Sequence, residues 1–564
     1  MVDAPGESLA GLSVPEMLQH GMRQHQEGRL DQAEAAYRQA LARAPNNADG
    51  LHLLGVVAHQ RGRHDQAVER IGAAIRLQAD RAPYHGNLAL ALQALGRLDE
   101  AAAAYRAALR LDRFFVQGFN NLGNILRRTG QPAAAEQAFR HALALQPEQG
   151  EIWNNLATAL HAQFKLSEAE AAYRRAIDLE PGLADAHFGL GYVLFDLGRP
   201  ADSEAACRAG LALRPDSPDG LHGLGNAQFR LGRSEEAEAS YRQALSIAPD
   251  HAKAHFNLAH LLLQTGRLEA GWEHFEWRAA SHGAGRRDFA APLWDGRPLA
   301  QGTLLVHAEQ GLGDTLHFCR YLPLVAARCR LVVEVQRPLH RLIAGMPGID
   351  AVVVRGEALP PFDTQCPMMS LPRLFGTALG TIPAAIPYLA PDPAEAARWR
   401  MRLTRLPGLR VGLVWAGGVR PDQPELAEVD ARRSIGLAPL APLATVPGVS
   451  LISLQKGPPA TQAATPPDGM TLHDFTEELD DFADTAALVE ALDLVISVDT
   501  SVVHLAGALG KPVWLLNRFD TCWRWLQDRD DSPWYPTLRQ FRQTVPGDWT
   551  SVVAAITAAL RQMT

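Results

Sequence analysis

The sequence predicts an all-helical repeat array followed by an α/β region built from two parallel-sheet domains. Three observations predict it. Counted from Gly28, positions 28, 62, 96, 130, 164, 198, 232 and 266 read Gly, Gly, Gly, Gly, Phe, Gly, Gly, Gly, a 34-residue beat confined to the N-terminal half. Beyond it, short apolar runs alternate with glycine turns and helical stretches, the grammar of strand–helix–strand units. That grammar breaks at a proline-rich passage and then restarts. A chain of 564 residues is in any case too long for one core.

Around each glycine of the beat the same skeleton recurs. Nine residues after it stands a bulky side chain: Tyr37, Ile71, Tyr105, Phe139, Tyr173, Cys207, Tyr241, Phe275. Five after it stands a small one, Ala33 through Gly271, and eight before it, from the second unit on, stands leucine, Leu54 through Leu258. Small residues let two antiparallel helices approach, the bulky residue fills the space between them, and glycine turns the chain. Proline at 45, 147, 181, 215 and 249 stops the second helix. This skeleton resembles the tetratricopeptide repeat, whose period is 34. Eight units are expected over about 14–285, after a short tail at 1–13. Such arrays stack into a superhelix whose inner helices line a groove.

The residue before the leucine is Asn87, Asn121, Asn155 and Asn257, but Leu53, Gly189 and Gly223 elsewhere. An asparagine both donates and accepts, so a row of them can hold an extended peptide whatever its side chains. The alternative is that these are solvated groove residues. His251, His255 and His260 invite a metal, but His85, His187 and His255 share a repeat position also filled by Leu51, Phe119, Trp153 and Leu221. A position that alternates with Trp, Phe and Leu is a packing site, so no metal is expected. The eighth unit decays into GWEHFEWR, where Trp272, Phe275 and Trp277 are expected to pack against the next domain. Residues 286–300 read as a linker.

In the second half, TLLVHA (Thr303–Ala308) reads as a strand, turns through Gly311 and Gly313, and becomes a helix from Asp314. Strands at Leu331–Gln336 and Ala351–Gly356 follow, giving an α/β domain at 301–400. After the proline-rich passage with its helix (Pro383–Leu406), strands at Arg410–Gly418, Val449–Gly457 and within Leu492–Leu516 give another at 401–564. A cleft between two such domains, at the C-terminal ends of their strands, is a frequent ligand site.

Composition limits the partners. A net charge of −8 gives no electrostatic reason to expect nucleic acid or an anionic membrane. The five cysteines form no CxxC pair, so neither a disulfide framework nor a thiolate zinc site is indicated, and a reducing, cytoplasmic compartment fits. The opening MVDAPGESLAG lacks the apolar stretch of a signal peptide.

Asp499-Thr-Ser-Val-Val-His504-Leu-Ala-Gly-Ala-Leu-Gly-Lys-Pro-Val resembles the nucleotide-diphosphate loop of the heptosyltransferase-like glycosyltransferases, family 9, with strands before and after it. The Gly311–Asp314 turn resembles that family's N-terminal glycine–aspartate turn, and Arg432-Arg433-Ser434 falls where its members often carry a basic residue. The resemblance covers about 300–545 and is weaker at 357–408 and 518–545. The order of parts, repeats ahead of the α/β half, is also similar to the protein O-linked N-acetylglucosamine transferases. It implies an all-α tetratricopeptide superhelix followed by an α/β GT-B fold of two Rossmann-like domains. It further implies an inverting, metal-independent glycosyltransferase without a cofactor, using a nucleotide-diphosphate sugar as co-substrate.

Leaving phosphates need positive charge and N–H donors. Thr500, Ser501 and Val502 open a helix and can supply backbone N–H groups; His504, Arg433, Arg432 and Lys456 are further donor-binding candidates. Asp499 is expected to cap that helix or bind sugar hydroxyls. By resemblance Asp314 matches the base that deprotonates the acceptor; its alternative role is an ordinary helix cap. Glu309, Gln310, Gly311 and Gly313 are acceptor-side candidates. Trp523, Trp525, Trp534 and Tyr535 read as packing, or as a platform for a sugar. The expected acceptor is a protein or peptide held by the repeats. A scaffold with a silent α/β half, or a transferase for a glycan or lipid-linked saccharide, stands as the alternative.

Overall fold

The computed structural model describes residues 11–282, 287, 289–418 and 424–564, with backbone alone at 282 and 424–428. It divides into two compact units, Met1–Ala227 and Gln228–Thr564. Residues 1–10 of the expected tail, and 283–286 and 288 around the expected linker, lie outside the described residues.

The first unit is all helix. From Val14–Gln26 and Leu30–Arg43 to Ala184–Asp196 and Pro200–Leu213, six helix pairs follow one another, and each helix packs mainly against its neighbours in sequence. The skeleton residues do what their sizes dictate. Tyr37, Ile71, Tyr105, Phe139, Tyr173 and Cys207 are buried between the helices of their pairs. The small residue on the facing helix is required: a Cβ at Gly123 would sit 2.5 Å from the Phe139 ring. The turn glycines adopt left-handed backbone, φ +73° at Gly62 and +75° at Gly130, which only glycine reaches without strain. Phe164 adopts the same conformation, φ +56°, without being glycine.

A feature absent from the skeleton also ties the repeats together. Glu34 accepts from Arg63, and Glu136 from Lys165, each at 2.7 Å and each across one repeat boundary. Burial works to raise the Glu34 carboxyl. The Arg63 hydrogen bond, with the charges of Arg38, Arg63 and Arg61, outweighs it and holds the group below the ordinary carboxylate range.

The second unit opens with the last repeat helices, among them Ser234–Ile247, Ala252–Gln264 and Leu268–Phe275, then a short helix Arg278–His282. Two all-parallel sheets follow. The first contains β1 (Thr303–His307), β2 (Arg330–Val335), β3 (Ala351–Val354) and β4 (Thr364–Pro367) in the order β3-β2-β1-β4. The second contains β5 (Leu409–Val414), β6 (Val449–Ser453), β7 (Leu472–Asp474), β8 (Leu494–Val498), β9 (Val513–Asn517) and β10 (Leu538–Arg542) in the order β10-β9-β8-β5-β6-β7. Counted from β5 this is 6-5-4-1-2-3, the doubly wound Rossmann order. Central strands are mostly apolar because helices cover both faces; β8, LVISV, is buried at every residue.

One expectation is corrected here, and one stretch gains detail. Residues 292–294, within the stretch read as a linker, pair along the first sheet. The Trp294 amide donates to the Gln365 carbonyl, the Gln365 amide donates to the Pro292 carbonyl, and Trp294 is buried. Trp277, expected against the α/β region, instead stacks on His255 of the last repeat, rings 4.3 Å apart and 4° from parallel. Trp272 and Phe275 do pack into the α/β core, against Phe318 and Trp523.

Candidate functional site

Doubly wound sheets bind ligands where the strand order reverses, beyond the C-terminal ends of the strands. In the second sheet that point lies between β5 and β8, and in the first between β1 and β4. The β8 loop is Asp499–Thr500, leading into the helix Ser501–Ala508; the β1 loop is Ala308–Gly311, leading into the helix Leu312–Phe318. These two helices pack against each other at their N-terminal ends. Gly313 is the point of contact: a Cβ there would stand 3.0 Å from His504 Cδ2 and 3.5 Å from Ser501 Cα. The absent side chain is what lets the two backbones meet.

The helix cap at β8 is Thr500 rather than Asp499, and Thr500 makes no side-chain hydrogen bond to the helix it caps. Asp499 is partly exposed, and its carbonyl accepts from Arg433 Nη1 at 3.1 Å. Arg433 also pairs with Asp430, and its guanidinium packs over Gly417 at the end of β5. Arg433 therefore bridges the two loops of the switch point. Arg432 pairs with Asp520 at 2.8 Å. Lys456 is committed elsewhere: Nζ donates to the carbonyls of Thr476 and Leu479 at 2.7 and 2.9 Å, pinning a loop beyond β7. Its two carbonyl partners hold it at that loop.

Asp314 lies inside the helix, not at its start. Its Oδ2 accepts from the Gly311 amide at 2.9 Å, and its Oδ1 pairs with Arg524, 210 residues away. So the expected helix-capping bond and a buried ion pair coexist on one carboxylate. Arg524 is nine-tenths buried, lies 4.2 Å from the Trp523 ring centre and donates to Cys522 Sγ. Burial disfavours its charge, but the adjacent Asp314 carboxylate outweighs that and raises the guanidinium above its ordinary value.

His504 is buried in the first turn of its helix. One face stacks on Trp525, and Nδ1 lies 3.0 Å from the Tyr535 hydroxyl. That hydroxyl also lies 3.0 Å from His317 Nδ1 and 3.4 Å from the Tyr388 hydroxyl, which accepts from Arg320. Burial, with Arg524 and Arg320 adding like charge, pushes His504 well below its ordinary pKa. The ring is neutral at pH 7, so it offers a hydrogen bond to a ligand and not a charge. The single Tyr535 hydrogen can serve at most one of the two histidines, so at least one of them donates to the oxygen.

On the acceptor side, Glu309 is tied to the buried Arg278 at 2.8 Å, and Arg278 also reaches Ser370 and Glu276. The Gln310 carbonyl accepts from Gln336 Nε2. All four aromatic side chains at Trp523, Trp525, Trp534 and Tyr535 are buried, so none presents a face to a sugar. The platform alternative is withdrawn. Nothing in the sequence motifs marks Arg524, His317, Arg320 or the role of Tyr535. They come from the region where the family resemblance is weak and from the far side of a helix.

In the repeats the asparagines serve their neighbours. Asn87 Nδ2 lies 2.8 Å from His52 Nε2, Asn121 donates to Tyr105 Oη, and Asn155 donates to Asn120 Oδ1. Asn257 sits on the Ala252–Gln264 helix of the second unit. Among the described residues no group of three or more His, Cys, Asp or Glu side chains is placed to hold a metal ion.

Models of the tetratricopeptide repeat match residues 24–91, 82–115, 120–184, 165–218 and 222–276. The N-terminal half is a tetratricopeptide array. Protein FlbA of Caulobacter vibrioides is 30% identical over 331 residues, covering 53% of this chain and 54% of that protein. The chain thus spans about half the length of this curated relative. Among solved structures, the tetratricopeptide protein YrrB is 25% identical over 33% of this chain and 96% of its own, with a TM-score of 0.29. A tetratricopeptide repeat protein from Parabacteroides merdae is 18% identical over 44% of this chain and 98% of its own, with a TM-score of 0.36. Among the described residues no helix is long and apolar enough to cross a membrane.

Proposed function

We propose that the α/β half transfers a sugar from a nucleotide-diphosphate donor to an acceptor, with inversion and without a metal. The acceptor is a protein recruited by the tetratricopeptide array. The observation that carries this reading is the abutment, at Gly313, of the two helices that leave the switch-point strands β1 and β8. Two helix N-termini at one place concentrate N–H donors where a leaving diphosphate develops charge. Arg433 donates to the Asp499 carbonyl ahead of one of these helices, and Arg524 pairs with the Asp314 carboxylate in the first turn of the other. The donor residues are then Asp499, Thr500, Ser501, Val502, His504, Arg432 and Arg433, and Asp314 is the base.

A scan of thermal stability with nucleoside diphosphates tests donor binding, because a ligand that binds only the folded chain raises its melting temperature. Turnover of a donor by wild-type protein, abolished in Asp314→Ala, is the expected result; turnover at the wild-type rate in that variant removes the base assignment. One observation favours the second reading, a scaffold without chemistry. The cations a donor needs already have partners: Arg433 with Asp430, Arg432 with Asp520, Arg524 with Asp314. A chain that binds none of the nucleoside diphosphates belongs to that reading.

A further inference from the structure

We infer that Arg524 is a donor-diphosphate ligand, and that its ion pair with Asp314 is a latch which donor binding opens; this rests on the transferase reading above. Three features of the geometry meet here. First, the Ser501–Ala508 helix begins without a side-chain cap, so its first N–H groups are unclaimed by Thr500. Second, His504 is 5% exposed, has Nδ1 engaged by Tyr535, and turns its other edge toward Gly313, at the junction of the two helices. No hydrogen bond to Nε2 occurs among the described residues. Third, Arg524 is buried beside the same junction, with an Nε that lacks a partner among the described residues.

The charge balance explains why Arg524 would be held this way. A carboxylate at the junction repels a diphosphate, and a lone buried guanidinium is costly. Paired, each cancels the other's cost. A nucleotide diphosphate carries more charge than a carboxylate and offers two oxygens to the planar guanidinium, so it competes for Arg524. Once Arg524 turns to the phosphate, Asp314 Oδ1 is freed beside the acceptor. In the transfer, the acceptor oxygen forms its bond to the anomeric carbon and its proton passes to the Asp314 carboxylate. The bond from the anomeric carbon to the phosphate oxygen breaks, and its electron pair stays on the nucleoside diphosphate, next to Arg524. The base is thus available only when a donor is present.

The test is calorimetric titration of the full chain with UDP, GDP, ADP and CDP in turn, for wild type, Arg524→Gln and Asp314→Asn. With the diphosphate that binds best, Arg524→Gln is expected to lose about tenfold or more in affinity, the loss of a charge-assisted hydrogen bond. Asp314→Asn, which removes the competing carboxylate, is expected to bind several-fold tighter. A purely structural pair predicts no such opposition of sign. If wild type binds and both variants bind within twofold of it, the latch is overturned while the transferase reading stands. If wild type binds none of the four, the transferase reading falls and the latch with it. Should Arg524→Gln fail to fold, Asp314→Asn decides alone: tighter binding supports the latch, and equal or weaker binding overturns it.

Discussion

Phe164 occupies a turn that the other repeats give to glycine, and it keeps their left-handed backbone at φ +56°. A side chain in that region costs about 1–2 kcal/mol. Replacing it by glycine removes that cost but loosens the unfolded chain by about 0.5–1 kcal/mol. Phe164 is 38% exposed, so its ring also contributes packing that either small residue forfeits. Phe164→Gly is therefore expected to show a higher thermal midpoint than Phe164→Ala, which loses the same ring but keeps the strained Cβ; a glycine variant that melts below the alanine variant would refute the strain argument. His52 carries a second prediction. It is buried, stacks on Tyr84 with rings 4.4 Å apart, and meets Asn87. Burial is the main cause that pushes it down to about 4. The folded pKa lies below the unfolded one, so the unfolded chain takes up the proton first. Its stabilising contribution is whole above pH 6.5 and is lost as pH falls from there toward 4. Between pH 6.5 and pH 5 the loss amounts to about 2 kcal/mol. Denaturant unfolding across that range should show a shallower pH slope in His52→Gln than in wild type, and equal slopes would rule the assignment out.

Among the elements, the Leu268–Phe275 helix decides how the repeats end. Trp272 is 1% exposed, its Nε1 donates to the Thr377 carbonyl, and its ring meets Trp523 edge-on at 5.3 Å. Trp272→Ala should destabilise the second unit by about 3–5 kcal/mol, measured by denaturant unfolding, whereas Trp277→Ala should cost far less. A similar loss for both would mean that the helix end, not the Trp272 pocket, holds the joint. The sequence made the helix pairs readable because one left-handed turn per 34 residues demands glycine, and burial between helices demands a bulky residue opposite a small one. It made β1, β2, β5, β6 and β8 readable because central parallel strands carry short, mostly apolar runs. β10, LRQFR, was not readable: its Gln540 is buried but satisfied by Asn517, the Trp525 carbonyl and the Asp531 carbonyl. Nor could the Asp314–Arg524 pair or the Asn87–His52 contact be read, since each joins residues whose separation carries no local signal.

At the scale of the whole molecule, the boundary between compact units falls inside the repeat array, not after it. The Pro218–Arg230 helix straddles it, and the last repeat helices belong with the sheets. The reason is chemical. Gln264 Nε2 donates to the Thr521 carbonyl, and the Gln527 amide donates to the Gln264 carbonyl. Phe275 and Trp272 fill the core that also holds Phe318, Trp523 and Trp534. Arg278 carries the joint on to Glu309, which precedes the turn that positions Asp314. The final repeat is thus part of the α/β core, and the loop bearing the proposed base is anchored to it. A fragment of residues 216–564, which keeps the seventh helix pair whole, should then fold, remain monodisperse and bind the same nucleoside diphosphate as the full chain. A fragment of 301–564 strips Trp272 and Phe275 from their partners and exposes a large aromatic patch, for which aggregation is expected. The comparison is made by size-exclusion chromatography and calorimetry on the two fragments. A monodisperse, nucleotide-binding 301–564 fragment would show that the last repeat is only an attachment, and that the anchoring of Asp314 through Arg278 has no part in forming the site.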